Sequence, residues 1–360
     1  MVWKINGEDA YFAASNSKKG FFSYYTACFD APRIDRVFAV KGGPGTGKSR
    51  FLRDVASFFA ERAFSVEYVY CSSDPNSLDG VILTKNGSSI ALLDATAPHV
   101  YEPLRIGVRE EIVNLGAFWD RAKLVQRRDE IETLSAQKSA AYRRAYRYLA
   151  SIGELLALRD DLVAPFVRRD AIKAYAEKLM RQIPMGRVAD VRTTLVRSVG
   201  MCGEVGIWGS AMQGTRLVLI EDLHGIARYL TDALLDLALE RRQLIRVSHD
   251  PIDPARIDAI CLSDCGITFL VGRQEPALCA DKTIGMRRFL DTLSLSDRRE
   301  ALNVSARARR LLTDGAMAAF TEVKEAHFAL EAIYSSTMDF SAKEEYTRQF
   351  CNRLGDLQNA

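Results

Sequence analysis

The octet at positions 42–49 constrains this chain more than any other segment. It matches the pattern G-x-x-x-x-G-K-[ST], which connects a buried strand to the N-terminus of a helix. The apolar run at 36–40 precedes it as a strand would, and apolar residues at helical spacing follow it over 51–59. We therefore predict a strand, a phosphate-binding loop and a helix, the loop consisting of Gly42, Gly43, Pro44, Gly45, Thr46, Gly47, Lys48 and Ser49.

These residue types supply the parts of an anion-binding site. Glycines let the backbone curl so that successive N–H groups point inward, and the helix N-terminus adds partial positive charge. Lys48 can bridge the β- and γ-phosphates, and the Ser49 hydroxyl suits Mg²⁺ as a ligand. Because the sequence has no Asn-Lys-x-Asp motif for reading guanine, we predict that the ligand is ATP with Mg²⁺.

Length and composition predict more than one packing unit. The chain has 360 residues, of which 48% are hydrophobic, enough to fill two cores. The N-terminus lacks a basic start followed by a long apolar run, so we expect a cytoplasmic protein without membrane insertion. Seven cysteines without a C-x-x-C pair favour reduced thiols over disulfides or zinc.

Positive charge is concentrated in one segment. Residues 121–200 contain 17 Lys and Arg against 9 Asp and Glu, although the whole chain carries only +3. A solvated helical face explains this pattern because acidic and apolar residues separate the arginine pairs. A nucleic-acid-binding face is the alternative.

Three polar residues that follow predicted strands are candidates to act beside the phosphates. Asp94 closes an apolar run and is the candidate magnesium carboxylate, or it begins a turn. Asp74 and His99 are candidates to orient the attacking water, or they serve local turn and backbone hydrogen bonds. The predicted catalytic residues are Lys48, Asp94, Asp74 and His99, with Mg²⁺ held by Ser49 and Asp94.

A helical pattern replaces the strand pattern from 109 to about 183. Apolar residues fall three and four apart, and residues 104–164 contain no proline. This predicts two or three long helices that form a hairpin arm packed on itself or on the sheet. Such an arm is also a candidate surface for a protein partner.

The second half of the chain repeats segments of the first in the same order. Residues 36–40 resemble 216–220, and residues 90–93 resemble 267–270. These matches predict a duplicated α/β fold, with a P-loop NTPase core and a mainly parallel sheet in each half, although common strand–helix–strand spacing is an alternative. Further matches are 78–82 with 257–261, Asp74-Pro75 with Asp250-Pro251, and 118–120 with 289–291. The predicted segments are a P-loop core at 1–107, a helical arm at 108–190, a second core at 191–285 and a second arm at 286–360.

The second core lacks the residues of the phosphate loop. Glu221 and Asp222 stand where the first loop has its glycines, and Val271 is the counterpart of Asp94. Because two acids repel phosphate, we predict one nucleotide per chain. In an alternative interpretation, the arm is inserted into a single ATPase domain. Glu221 or Asp222 then holds magnesium, and His249 senses the γ-phosphate.

Several motifs of the first half carry a family resemblance. They are the loop itself, Cys71-Ser72-Ser73-Asp74, Leu78-Asp79-Gly80, residues 93–99 and residues 114–120. The chain resembles a bacterial family of tandem P-loop ATPases of about this length. That resemblance implies the fold and ATP binding. The family usually has a glycine-rich loop in both halves, and the segment 221–227 departs from this.

The functional expectation is a slow Mg²⁺-dependent ATPase that acts as a switch through its arms. Fast hydrolysis also needs an arginine at the γ-phosphate, for which Arg228 and Arg273 are the candidates. A small-molecule or nucleotide kinase and a nucleotide-binding module with negligible turnover are the alternatives.

Overall fold

The computed structural model describes residues 2–5, 7–30, 32–99, 101–209 and 212–359. It is an α/β protein with two six-stranded sheets, which confirms the α/β part of the predicted fold class. Met1 and Ala360, the outer ends of the first and last predicted segments, lie outside these ranges. Within the described ranges, no helix has both the length and the apolar composition needed to cross a lipid bilayer.

The strands are short and those at the sheet centres are buried. In chain order they are β1 Val2–Ile5, β2 Asp9–Phe12, β3 Ala14–Ser17, β4 Gly20–Ser23, β5 Arg36–Lys41, β6 Ser65–Tyr70, β7 Leu78–Lys85, β8 Ser88–Asp94, β9 Glu110–Asn114, β10 Asp190–Thr193, β11 Arg197–Gly200, β12 Gly203–Trp208, β13 Arg216–Glu221, β14 Leu244–His249, β15 Ile257–Leu262, β16 Ile267–Gly272 and β17 Lys282–Gly285.

Two of the helices are much longer than the rest. In chain order the helices are α1 Tyr25–Phe29, α2 Lys48–Ala60, α3 Arg121–Gln126, α4 Arg128–Val163, α5 Arg169–Met180, α6 Ala227–Glu240, α7 Arg299–Ser335 and α8 Phe340–Asn359. The long pair, α4 and α7, have 36 and 37 residues.

The two large sheets share one strand order and one set of strand directions. The first runs β2-β6-β7-β8-β5-β9 and the second runs β10-β14-β15-β16-β13-β17. In both, the third strand is antiparallel to its two neighbours and the other pairs are parallel. The central strands are apolar runs because helices and loops cover both of their faces.

The predicted segment boundaries need two corrections. Residues 110–114 form the edge strand β9, which pairs with β5, so the first core continues into the segment predicted as arm. This strand was predicted as helix because Ile112 and Leu115 are three residues apart, which fits helical spacing. In addition, the N-terminal strand β1 pairs with β12 of the second half.

The two helical arms pack on each other, and the last helix of each arm packs on the core of the opposite half. The long helices α4 and α7 share a buried core that includes Ala145, Leu149 and Phe320. Beyond them, α8 contributes Phe350 to the core of the first half, and α5 contributes Ile172 to the core of the second. The prediction was an arm packed on itself or on the sheet: the apolar stripe of α4 packs instead on α7, and α5 packs into the core that includes the sheet of the second half.

Matching backbone hydrogen bonds hold each arm against the other at the point where it reaches the opposite half. Asp120 N donates to Thr337 O at 2.7 Å, and Asp339 N donates to Phe118 O at 2.9 Å. In the other half, Asp291 N donates to Phe166 O and Arg168 N donates to Phe289 O, both at 2.9 Å. Each arm thus crosses to the opposite half at an equivalent position.

Candidate functional site

The loop at 42–49 joins β5 to α2, as predicted. Gly47 takes a left-handed backbone conformation, with φ of 75°, at the N-terminal end of α2. Lys48 begins the helix, and its Nζ donates to the carbonyl oxygens of Gly42 at 2.9 Å and Gly43 at 2.8 Å. Thr46 Oγ1 donates to Gly43 O at 3.0 Å. The ammonium group therefore lies against the loop, with its partners supplied by the backbone.

Asp94 lies beside this ammonium group. It pairs with Val40 in the register of the neighbouring parallel strands β8 and β5, so both strands end at the loop. Asp94 Oδ2 is 3.5 Å from Lys48 Nζ, and its Oδ1 accepts a hydrogen bond from Thr96 N at 2.8 Å. The nearby Ser49 Oγ accepts from Leu78 N at 2.9 Å. These hydroxyl and carboxylate oxygens are the ligand type that Mg²⁺ prefers, so the donor set fits this ion.

The second arm contacts the loop directly. Ser335, at the end of α7, donates from its Oγ to Gly45 O at 3.2 Å. A Cβ on Gly45 would lie 2.5 Å from Glu331 O, so only glycine allows this approach. On α8, the buried Lys343 lies beside Gly47. The loop is therefore a contact between the first core and the arm that follows the second core.

Charged groups from both arms act on Lys48, and sequence reasoning missed them. Lys138 of α4 and Glu331 of α7 both interact electrostatically with its ammonium group. Burial lowers the pKa of Lys138, with the Glu331 carboxylate opposing the shift and the like charge of Lys48 adding to it. His327 Nε2 lies 3.6 Å from Glu331 Oε1. Sequence separation hides these contacts, because they depend on how the arms cross.

The two candidates for orienting water lie in different surroundings. Asp74 Oδ1 accepts a hydrogen bond from Asn76 N at 3.1 Å within its own turn. His99 is only 7% exposed; its Nε2 is 3.3 Å from Asp79 Oδ2, and its ring stacks on Tyr25 at 4.8 Å. A catalytic role for either residue stays a prediction.

Asp79 is a buried acid that sequence reasoning missed. Burial raises its pKa, and the nearby His99 opposes that shift. Cys71 completes the group, because the ligand atoms of Cys71, Asp79 and His99 all lie within 4.8 Å of one another. The available signal was Asp79 itself, a carboxylate at the start of an otherwise apolar strand.

The equivalent loop of the second half, at 222–226, already contains a negative charge of its own. Asp222 accepts hydrogen bonds from Gly225 N at 2.9 Å and from Ala227 N at 2.8 Å. Its carboxylate therefore takes the amides that a phosphate would need at this helix N-terminus. Glu221 ends β13, which pairs with β16 and β17, whereas the neighbours of β5 are β8 and β9. The structure thus places Glu221 and the strand that leads into the Lys48 loop in separate sheets.

A cavity of about 600 Å³ opens beside the second loop. Arginines and acids line it, and several of these arginines form ion pairs with nearby carboxylates. Arg228 Nη1, for example, is 3.0 Å from Asp160 Oδ2. Both candidates for reaching the γ-phosphate, Arg228 and Arg273, line this cavity, which none of the residues 42–49 do.

Comparisons with known proteins found no counterpart: no family model, no curated protein and no solved structure matches this chain.

Proposed function

We propose that the protein binds ATP with Mg²⁺ at residues 42–49, hydrolyses it slowly, and couples the state of the nucleotide to its helical arms. The observation that carries the proposal is the position of Asp94 beside Lys48, at the carboxyl ends of neighbouring parallel strands. In α/β proteins, ligands bind at this edge of the sheet.

Each residue of the site has a defined task in this proposal. The loop amides and Lys48 hold the β- and γ-phosphates, and Lys48 exchanges the carbonyls of Gly42 and Gly43 for phosphate oxygens. Ser49 and Asp94 would hold Mg²⁺, which supplies neutralisation of phosphate charge. Phosphoryl transfer depends mainly on positioning and charge, so this set suffices for slow turnover.

The proposal also includes a P-loop NTPase core that was duplicated, as in the tandem P-loop ATPases that the sequence resembles. The shared strand order of the two large sheets supports it. So does the hydrogen bonding of the turns after β6 and β14. Cys71 N donates to Ser77 O, and Asp250 N donates to Arg256 O. This pairing shifts one predicted match, because it makes Asp253-Pro254 the counterpart of Asp74-Pro75.

The switch is supported by the contact between Ser335 and Gly45, because a loop that rearranges around phosphates must also move the end of α7. The test combines two measurements on the full chain: Mg²⁺-dependent ATP hydrolysis, and limited proteolysis of α4 and α7 with ADP or a nonhydrolysable ATP analogue. We expect slow hydrolysis and a protection pattern that differs between nucleotides. Intact ATP would indicate a binding module, and ATP consumption that rises sharply with an acceptor would indicate a kinase.

A further inference from the structure

A group of three possible metal ligands, two of them buried, lies at the first core. Cys71 follows β6, Asp79 lies on β7 and His99 follows β8, so three separate segments bring one ligand each. Their ligand atoms all lie within 4.8 Å of one another. Asp79 is 4% exposed and His99 is 7% exposed, which removes both from bulk water.

The spacing of these atoms suits one ion. His99 Nε2 and Asp79 Oδ2 are 3.3 Å apart. Two ligands on a tetrahedral zinc ion, with bonds of about 2.0–2.3 Å, stand roughly 3.3–3.7 Å apart. The Cys71 sulfur reaches this range with a shift of about 1 Å, which a side-chain rotation provides.

The surroundings hold the imidazole in place. The His99 ring stacks on Tyr25 with 7° between the planes, and the edge of Phe21 contacts it at 5.4 Å. Rigid support of this kind reduces the cost of bringing a ligand to an ion.

The second half has a cation at the equivalent place. Strand registers make Asp250 and Asp258 the counterparts of Cys71 and Asp79. Between these two acids lies Arg197, whose Nε is 2.7 Å from Asp258 Oδ2 and whose Nη2 is 3.9 Å from Asp250 Oδ2. The hairpin registers make Ala14 the counterpart of Arg197. The first half therefore has a thiol and a carboxyl group at these two positions, and an alanine where the second half has a guanidinium.

We propose that Cys71, Asp79 and His99 bind a divalent transition-metal ion of the zinc class. A thiolate and a carboxylate balance the two charges of the ion, and the Cys71 thiol proton leaves to solvent on binding. Sulfur and imidazole nitrogen select zinc over Mg²⁺, which separates this site from the oxygen ligands of Ser49 and Asp94. The proposal makes His99 a metal ligand through Nε2, in place of a group that orients water.

The test measures metal binding by the full chain without nucleotide. Zn²⁺ is titrated against a chromophoric chelator, and Co²⁺ is added to a second sample to record the thiolate-to-cobalt absorption band. We expect one ion per chain, with affinity reduced about 100-fold or more in both Cys71→Ser and His99→Gln. The cobalt thiolate band should be missing in Cys71→Ser.

Cys202→Ser is the matched control, because Cys202 is an exposed free thiol, and it should keep one ion and the band. If Cys71→Ser fails to fold, Asp79→Asn replaces it, with an expected loss of at least tenfold in affinity. Lys48→Ala should bind the metal normally. A failure of the proposed nucleotide site can therefore be distinguished from a failure of the metal site. A wild-type chain that binds no zinc, or a cobalt band that persists without the Cys71 thiol, would overturn the proposal.

Discussion

The two halves build the same sheet but place different chemistry at its carboxyl edge. In the first half, Lys48 and Asp94 bring opposite charges together above a glycine-rich loop. In the second half, Asp222 occupies the amides of the loop with its own carboxylate. Arginines beside it pair with acids of the same chain, as Arg228 does with Asp160. The first half places its charges at a glycine-rich loop, and the second half pairs several of its charges internally.

Oppositely charged residues of the two halves pair across the contact between them. Asp9 and Glu67 of the first half have Arg192 and Arg246 as their counterparts. These residues pair across the interface: Arg246 Nη1 is 2.8 Å from Asp9 Oδ1, and Arg192 Nη1 is 3.0 Å from Glu67 Oε1. Two identical halves would bring like charges together here, so the sequence now specifies one acidic half against one basic half.

The largest effect is expected from Lys48→Ala, which removes the charge that holds the phosphates. ATP affinity should fall about 100-fold, since a charge-assisted hydrogen bond contributes about 1.5–3 kcal/mol and Lys48 supplies more than one. Isothermal titration calorimetry checks this. Arg228→Ala, in the first turn of α6, is the control and should leave the affinity unchanged. Equal losses in both variants would mean that the halves share one nucleotide site.

The next largest effect concerns turnover. Asp94→Asn keeps the shape and the hydrogen bond from Thr96 but removes the charge that holds Mg²⁺. The rate of hydrolysis should fall about 100-fold while ATP affinity changes no more than about threefold. Steady-state hydrolysis at several Mg²⁺ concentrations measures this. Glu221→Gln is the control in the second half, and a loss of hydrolysis there would instead favour the arm inserted into a single ATPase domain.

A smaller effect is expected where the arm meets the loop. Gly45→Ala places a Cβ 2.5 Å from Glu331 O, at a φ of 71°. Gly87 has a similar φ of 83° with nothing within 4 Å of its Cβ position, so Gly87→Ala is the matched control for backbone strain. Gly87→Ala should lose about 1 kcal/mol of folding free energy through backbone strain, and Gly45→Ala should lose more, because its Cβ also meets Glu331 O. Only Gly45→Ala should also lower ATP affinity, about tenfold, and abolish nucleotide-dependent protection of α7.

The smallest effect concerns the pH dependence of the stability that Glu67 of the first half gains from Arg192 of the second. Burial raises the pKa of Glu67, but its hydrogen bond and charge interaction with Arg192 outweigh burial, so the pKa lies below its usual value. Because the folded pKa is lower than the unfolded pKa of about 4.3, the ionised carboxylate stabilises the fold at pH values above this unfolded pKa. That contribution is lost as the pH falls through the folded pKa.

At pH 7 the free energy of unfolding of Glu67→Gln should therefore be about 1 kcal/mol lower than that of wild type. This difference should shrink below about pH 4. Urea unfolding at several pH values measures the gap. The exposed Glu61→Gln serves as the control and should show no gap at either pH. A constant gap for Glu67→Gln across this range would contradict the charge pairing.

The sequence predicted what local pattern determines. The strand, loop and helix around Lys48 follow from glycine spacing and apolar periodicity, and the placement of Asp94 follows from strands that end at one sheet edge. The edge strand β9 was predicted as helix because Ile112 and Leu115, three residues apart, fit the helical period. The match of Asp250 to Asp74 failed by three positions, because a repeated Asp-Pro pair made the alignment ambiguous.

Local sequence patterns could not predict contacts between residues that are far apart in the sequence. An apolar stripe on α4 indicates that the helix packs on another element, but it does not indicate that this element is α7. The approach of Ser335 to Gly45 joins residues that are 290 positions apart. For the same reason, Lys138 and Glu331 could not be assigned to the loop, and the grouping of Cys71 with His99 required three strand ends to be positioned together.

The central claim is that the first half alone holds the triphosphate. A crystal structure of the full chain with Mg²⁺ and a nonhydrolysable ATP analogue tests it most directly. The account predicts one analogue per chain, with its phosphates on residues 42–49 and the ion between Ser49 and Asp94. A loop without ligand, together with nucleotide density in the cavity beside Asp222, would contradict it.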